Sequence, residues 1–97
     1  MSKVEEFLNH LELLIGLGHI FGRVEMFENL VDNGYYFHVE ISDLLVNIYP
    51  RRDKDGSLFW EIEAWKEKMG GNPILRRIAK NDNDLVGIRK ALEVFTI

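Results

Sequence analysis

The chain has no cysteine, two prolines, and only three serines and one threonine. Without cysteine, disulfides and thiolate metal sites are excluded, which fits a reducing compartment. Apolar runs are short, Leu13-Leu14-Ile15 being typical, so no stretch approaches the roughly 20 residues that cross a bilayer. No basic region followed by a long apolar stretch stands at the N-terminus, so a secretory signal is not expected. Together these point to a cytoplasmic protein. Hydroxyl nucleophiles are equally scarce. Ser2 reads as a helix cap, Ser42 and Ser57 flank turns, and none lies in a Gly-x-Ser-x-Gly elbow. A phosphate-cradling Gly-x-x-x-x-Gly-Lys loop is missing. His10, His19 and His38 lie outside metal-ligand spacing of one another. Neither cofactor nor metal is expected.

What is present is a 97-residue chain, 46% hydrophobic, long enough for a core of its own and expected to form a single α+β domain. Its net charge of −4 is unevenly spread. Residues 1–50 carry eight acidic side chains against Lys3 and Arg23, whereas residues 51–97 carry ten basic and eight acidic ones. An acidic surface repels nucleic acid and attracts basic proteins. Direct nucleic-acid binding by the first half is therefore disfavoured, and a basic protein surface is the expected partner.

Period-two alternation, the mark of strands with one buried face, runs through three segments between Tyr35 and Lys66. In the first, Phe37, Val39 and Ile41 point inward. In the second, Leu44, Val46 and Ile48 do so, and Pro50 is expected to end it. Asp53-Lys54-Asp55-Gly56 reads as a turn. In the third, Leu58, Trp60, Ile62 and Ala64 point inward. Only Ser42-Asp43 separates the first two segments, as in a tight hairpin.

Helices are expected on either side. Ser2-Lys3-Val4-Glu5 is a capping box, and Val4, Phe7, Leu8, Leu11, Leu14 and Ile15 recur at helical spacing, predicting a helix from Lys3 to Ile15. Gly16-Leu17-Gly18-His19-Ile20-Phe21-Gly22 reads as a connector. It is not the dinucleotide fingerprint, since its last glycine comes one residue late and it follows a helix. Residues 24–32 fit a helix through Val24, Phe27 and Val31, or a strand through Val24, Met26 and Leu30 with Asn33-Gly34 as a hairpin turn, and the helix is favoured. Asn72-Pro73 opens a further helical segment through Ile74, Leu75 and Ile78. Asn81 to Asp84 caps a last helix with Leu85, Ile88, Leu92 and Phe95 on one stripe. The expected fold is an antiparallel sheet of three to four strands, with an N-terminal helix and C-terminal helices packed on it.

The outward face of the strands would carry Tyr36, His38, Glu40, Asn47, Tyr49, Phe59, Glu61, Glu63 and Trp65. Four large aromatics on such a face mark a contact surface, unless the last helices or a second copy cover it. The candidate partner-binding residues are Glu40, Tyr49, Phe59, Glu61, Glu63 and Trp65, joined by Glu5 and Glu12 on the outer side of the first helix. His38 beside Glu40 could act as a general base. Glu61 and Glu63, with Lys66 nearby, could serve a metal-dependent hydrolase. The basic groups Arg51, Arg52, Lys54, Arg76, Arg77 and Lys80 lack the aromatic platforms of single-strand binding.

In size, charge and poverty of motifs the chain is similar to anti-CRISPR proteins and other DNA mimics of phages, and to toxin-immunity proteins. The likeness is one of type, so no functional residue is transferred. It implies a non-enzymatic inhibitor that blocks the nucleic-acid-binding surface of a host defence complex, working as monomer or homodimer. The alternatives are an immunity protein or oligomerisation subunit, and a small hydrolase.

Overall fold

A computed structural model of the chain describes residues 2–29 and 34–96. The order is α1 (Lys3–Phe21), β1 (Val24–Asn29), β2 (Gly34–Ile41), β3 (Leu44–Arg52), β4 (Leu58–Lys66), β5 (Leu75–Ala79) and α2 (Asp82–Val94). The strands form one antiparallel meander in the order β1-β2-β3-β4-β5. Leu17 and Phe21 of α1 and Leu85, Ile88 and Leu92 of α2 share a core with Phe37, Val39, Leu44, Val46, Ile48, Trp60, Ile62, Ala64, Leu75 and Ala79. Both helices therefore cover the same side of the sheet. Among the described residues, no helix is long and apolar enough to cross a membrane.

The three central strands follow the expected inward alternation, and the α+β class holds. The sheet has five strands rather than three to four, and one C-terminal helix packs on it rather than several. Both extra strands come from segments expected to be helical. In β1, Val24 and Met26 pack against the core. Phe27, which favoured the helix, instead lies on the opposite face against Tyr36, their rings 5.7 Å apart. Leu30, Val31 and Asn33 lie outside the described residues. The segment opened by Asn72-Pro73 spans only two turns, too short for a helix to hold itself together. As β5 it pairs along β4, from Trp60↔Ala79 to Ala64↔Leu75, and buries Leu75 and Ala79. Positive φ at Glu67 (68°), Gly70 (125°) and Gly71 (65°) turns the chain back for this pairing.

The first helix runs six residues beyond Ile15, through the expected connector. Leu17 and Phe21 are 1% and 3% exposed, and burying each is worth about 1.5–3 kcal/mol. That exceeds the roughly 0.5–1 kcal/mol that each of Gly16 and Gly18 costs inside a helix. Gly22 ends it, with φ +89° and its N–H bonded to the Gly18 carbonyl at 3.0 Å. Both helix starts are capped as expected: Ser2 Oγ accepts from the Glu5 N–H, and Asn81 Oδ1 accepts from the Asp84 N–H. Pro50 lies within β3 rather than ending it. The β2 pairing of β3 reaches only Phe37↔Ile48, while its β4 pairing continues to Arg52↔Leu58. Pro50 thus sits where β3 has a free edge, and its missing N–H costs no ladder bond.

Candidate protein-binding face

Neither helix covers the second side of the sheet. Register places two rows of side chains across it. One runs Glu25–His38–Asn47–Glu63–Arg76. The other starts with the Phe27↔Tyr36 pair and continues Tyr49–Glu61–Ile78. Tyr36 joins its two halves, its ring stacked on Phe27 at 5.7 Å and on Tyr49 at 5.6 Å. Three aromatic rings thus lie side by side on three adjacent strands. Phe27 and Ile78, at the ends of this row, are 40% and 57% exposed.

A polar network runs beside the rings. Asn47, 6% exposed, donates from Nδ2 to the Tyr49 hydroxyl at 3.0 Å and reaches Met69 Sδ at 3.5 Å. Its Oδ1 is then the acceptor for His38 Nδ1 at 2.8 Å, which assigns the ring proton to Nδ1. His38 Nε2 faces Glu40 Oε1 at 3.9 Å. Because Tyr49 accepts from Asn47, its own hydroxyl proton is free to donate to a partner. Burial, above all, pushes the Tyr49 pKa above its usual value, against the opposing pull of the Asn47 hydrogen bond.

The carboxylates of this face differ in state. Glu63 is held by Arg76, with Nη2 at 2.6 Å and Nε at 3.0 Å. Glu61 lies 3.8 Å from Arg51, whose guanidinium also sits 5.1 Å from the centre of the Tyr49 ring. Four glutamates (25, 40, 61 and 63) thus share the face with two arginines, a net −2. Lys66, considered with Glu61 and Glu63 as a metal site, pairs with Asp43 at 3.8 Å and falls on the helix-covered side by strand alternation. Among the described residues, no group of three His, Asp or Glu side chains is placed to hold a metal ion.

The structure divides the candidate set. Glu40, Tyr49, Phe59, Glu61, Glu63 and Trp65 project from the uncovered face, Leu45 standing between Glu40 and Trp65. Glu5 and Glu12 are exposed on α1, across the sheet from it. The β4–β5 loop folds over the Trp65 end, where the indole Nε1 donates to the Gly71 carbonyl at 3.3 Å. Phe27, Arg76 and Ile78 join this face through β1 and β5, the two segments whose spacing favours helices and whose side chains the sequence therefore does not place here. Alternation of Val24 and Met26 with Glu25 and Phe27 was the available signal for β1. Five residues interrupted by Arg76-Arg77 offered almost none for β5. The chain matches no family model, no curated protein and no solved structure, so its own residues carry the functional reading.

Proposed function

We propose that this protein is a non-catalytic inhibitor that docks its uncovered sheet face on the basic surface of a nucleic-acid-binding protein and occludes it. The observation that carries this reading is the stacked row Phe27–Tyr36–Tyr49, covered by neither helix, on a face with twice as many glutamates as arginines. Rigid aromatics supply anchor energy at small entropic cost, and charged rims set orientation and encounter rate. The pairing of Glu61 and Glu63 with arginines refines the mode. Among the described residues Glu25 and Glu40 have no arginine or lysine partner, so their charge is available to the bound protein, and the aromatic row supplies most of the affinity. A host defence complex with a nucleic-acid groove is the partner class that fits this charge and shape.

The test is capture from bacterial lysate on the immobilised protein at low salt, with and without excess duplex DNA. The wild type is run beside a Tyr36→Ser/Tyr49→Ser variant whose fold is checked by circular dichroism. A nucleic-acid-binding protein that DNA competes away, and that the folded variant no longer retains, is the expected result. Retention by the variant, or a partner indifferent to DNA, contradicts the proposal.

A further inference from the structure

The two edges of the sheet carry opposite charge. On β1, Glu25 and Glu28 are exposed and no basic residue lies between Val24 and Asn29. On β5, Arg76 and Arg77 are exposed, Lys80 follows at once, and no acidic residue lies between Leu75 and Ala79. Arg76 neutralises Glu63, but Arg77 bonds only to the Arg76 carbonyl, so among the described residues it has no carboxylate partner. Beyond β1 and β5 the sheet has no further strand among the described residues. An unpaired edge strand exposes backbone donors and acceptors ready for another strand.

We propose that a second copy of this chain adds head to tail, its β1 pairing with β5 of the first. The register argues for it row by row. The row that begins at Glu25 ends at Arg76, and the row that begins at Val24 ends at Leu75. The aromatic row begins at Phe27 and ends at Ile78. Continuing the sheet sets Arg76 beside Glu25 of the next copy, Ile78 beside its Phe27, and Leu75 beside its Val24. Arg76, already bonded to Glu63, gains a second carboxylate in Glu25, Arg77 lies beside Met26, and two exposed apolar side chains, Phe27 and Ile78, meet each other. In a five-stranded meander β1 and β5 run in the same direction, so the new pairing is parallel.

Two-fold alternatives are worse. Joining β5 to β5 brings two basic edges together, and joining β1 to β1 brings two acidic edges together. The helix layer permits continuation. Five strands advance the sheet by roughly 24 Å per copy, and two helices spaced about 10 Å apart need about 20 Å. A head-to-tail contact generates an open array unless its rotation closes. Strand twist of about −20 to −25° per step gives about three copies per turn of a filament. Only the rim of the face proposed to bind a partner, at Glu25 and Phe27, also lines this seam, and its centre at Tyr36 and Tyr49 stays free of it in every copy, so this assembly goes beyond that reading and does not depend on it.

Sedimentation velocity of the full chain at low salt, over a wide concentration range, tests the proposal. Association beyond a dimer that grows with concentration and weakens with salt is expected. Glu25→Lys, which sets lysine opposite Arg76, should weaken association about tenfold. Ile78→Glu should block the β5 edge alone. Each variant keeps one edge intact, so a mixture of the two, both checked for fold by circular dichroism, should form a one-to-one dimer and nothing longer. A wild type that stays monomeric throughout overturns the proposal, as does a closed dimer indifferent to Glu25→Lys or a mixture that does not pair.

Discussion

Asn47 is the residue on which the uncovered face is organised. It is a buried amide in a sheet face that neither helix covers, and each of its polar atoms is used: Oδ1 by His38, Nδ2 by Tyr49 and Met69. Orphaning buried groups costs more than a hydrogen bond gains, so this amide orients His38 and Tyr49 together. Tyr49 carries a pH signature. Its pKa is raised in the folded protein, mainly by burial, so the fold holds the phenolic proton more tightly than the unfolded chain does. That contribution is complete below the ordinary tyrosine value near 10 and is lost as pH rises through the folded value. Denaturant titrations between pH 9 and 11.5 should show stability falling at the alkaline end. Tyr49→Phe should flatten that fall relative to wild type, and an identical slope in the variant would contradict the assignment.

At the scale of elements, α1 shows a helix carried by its packing rather than by its propensity. Gly16 and Gly18 sit in its interior, and a Cβ added at either would meet no atom within 4 Å. Gly16→Ala and Gly18→Ala should therefore each stabilise the protein by about 0.5–1 kcal/mol in urea unfolding. Leu17→Ala, between them, should cost about 2–5 kcal/mol. Destabilisation by the alanines would contradict the helix over this stretch. The same competition explains what the sequence made legible. Strands β2, β3 and β4 alternate cleanly because each has one face in the core, and their inward residues could be named from the sequence. Glycines at 16 and 18 pointed to a helix end, but Leu17 and Phe21, at four-residue spacing from Leu13, outweigh them. Leu75 and Ile78 share a face in a helix but fall on opposite faces of a strand, so their spacing favours the helix, and only the free edge of β4, a long-range feature, overrides it. The candidate face was legible at its centre, in Tyr49, Phe59, Glu61, Glu63 and Trp65, and lost at its rims, which β1 and β5 supply.

At the scale of the molecule, two helices and five strands share one core, and Arg89 joins the helices outside it. Its Nη1 donates at 3.0 Å to the Ile20 carbonyl in the last turn of α1, where the helix dipole favours a cation, while Nε holds Glu93 at 3.1 Å. Arg89→Ala should lower stability by about 1–2 kcal/mol, read by urea denaturation, and an unchanged midpoint would show that the link carries no load. Placing both helices on one side leaves the other side without a helix, and the proposed function rests on that asymmetry. It also separates Glu5 and Glu12 on α1 from the remaining candidate contacts. Site-specific photo-cross-linking of the captured partner tests this most directly, with a benzoylphenylalanine introduced in turn at Tyr36, Phe59, Glu5 and Glu12. Cross-links are expected from positions 36 and 59 and none from positions 5 and 12. Cross-links from the helix positions alone would contradict the proposed function and move the contact to the opposite side of the molecule.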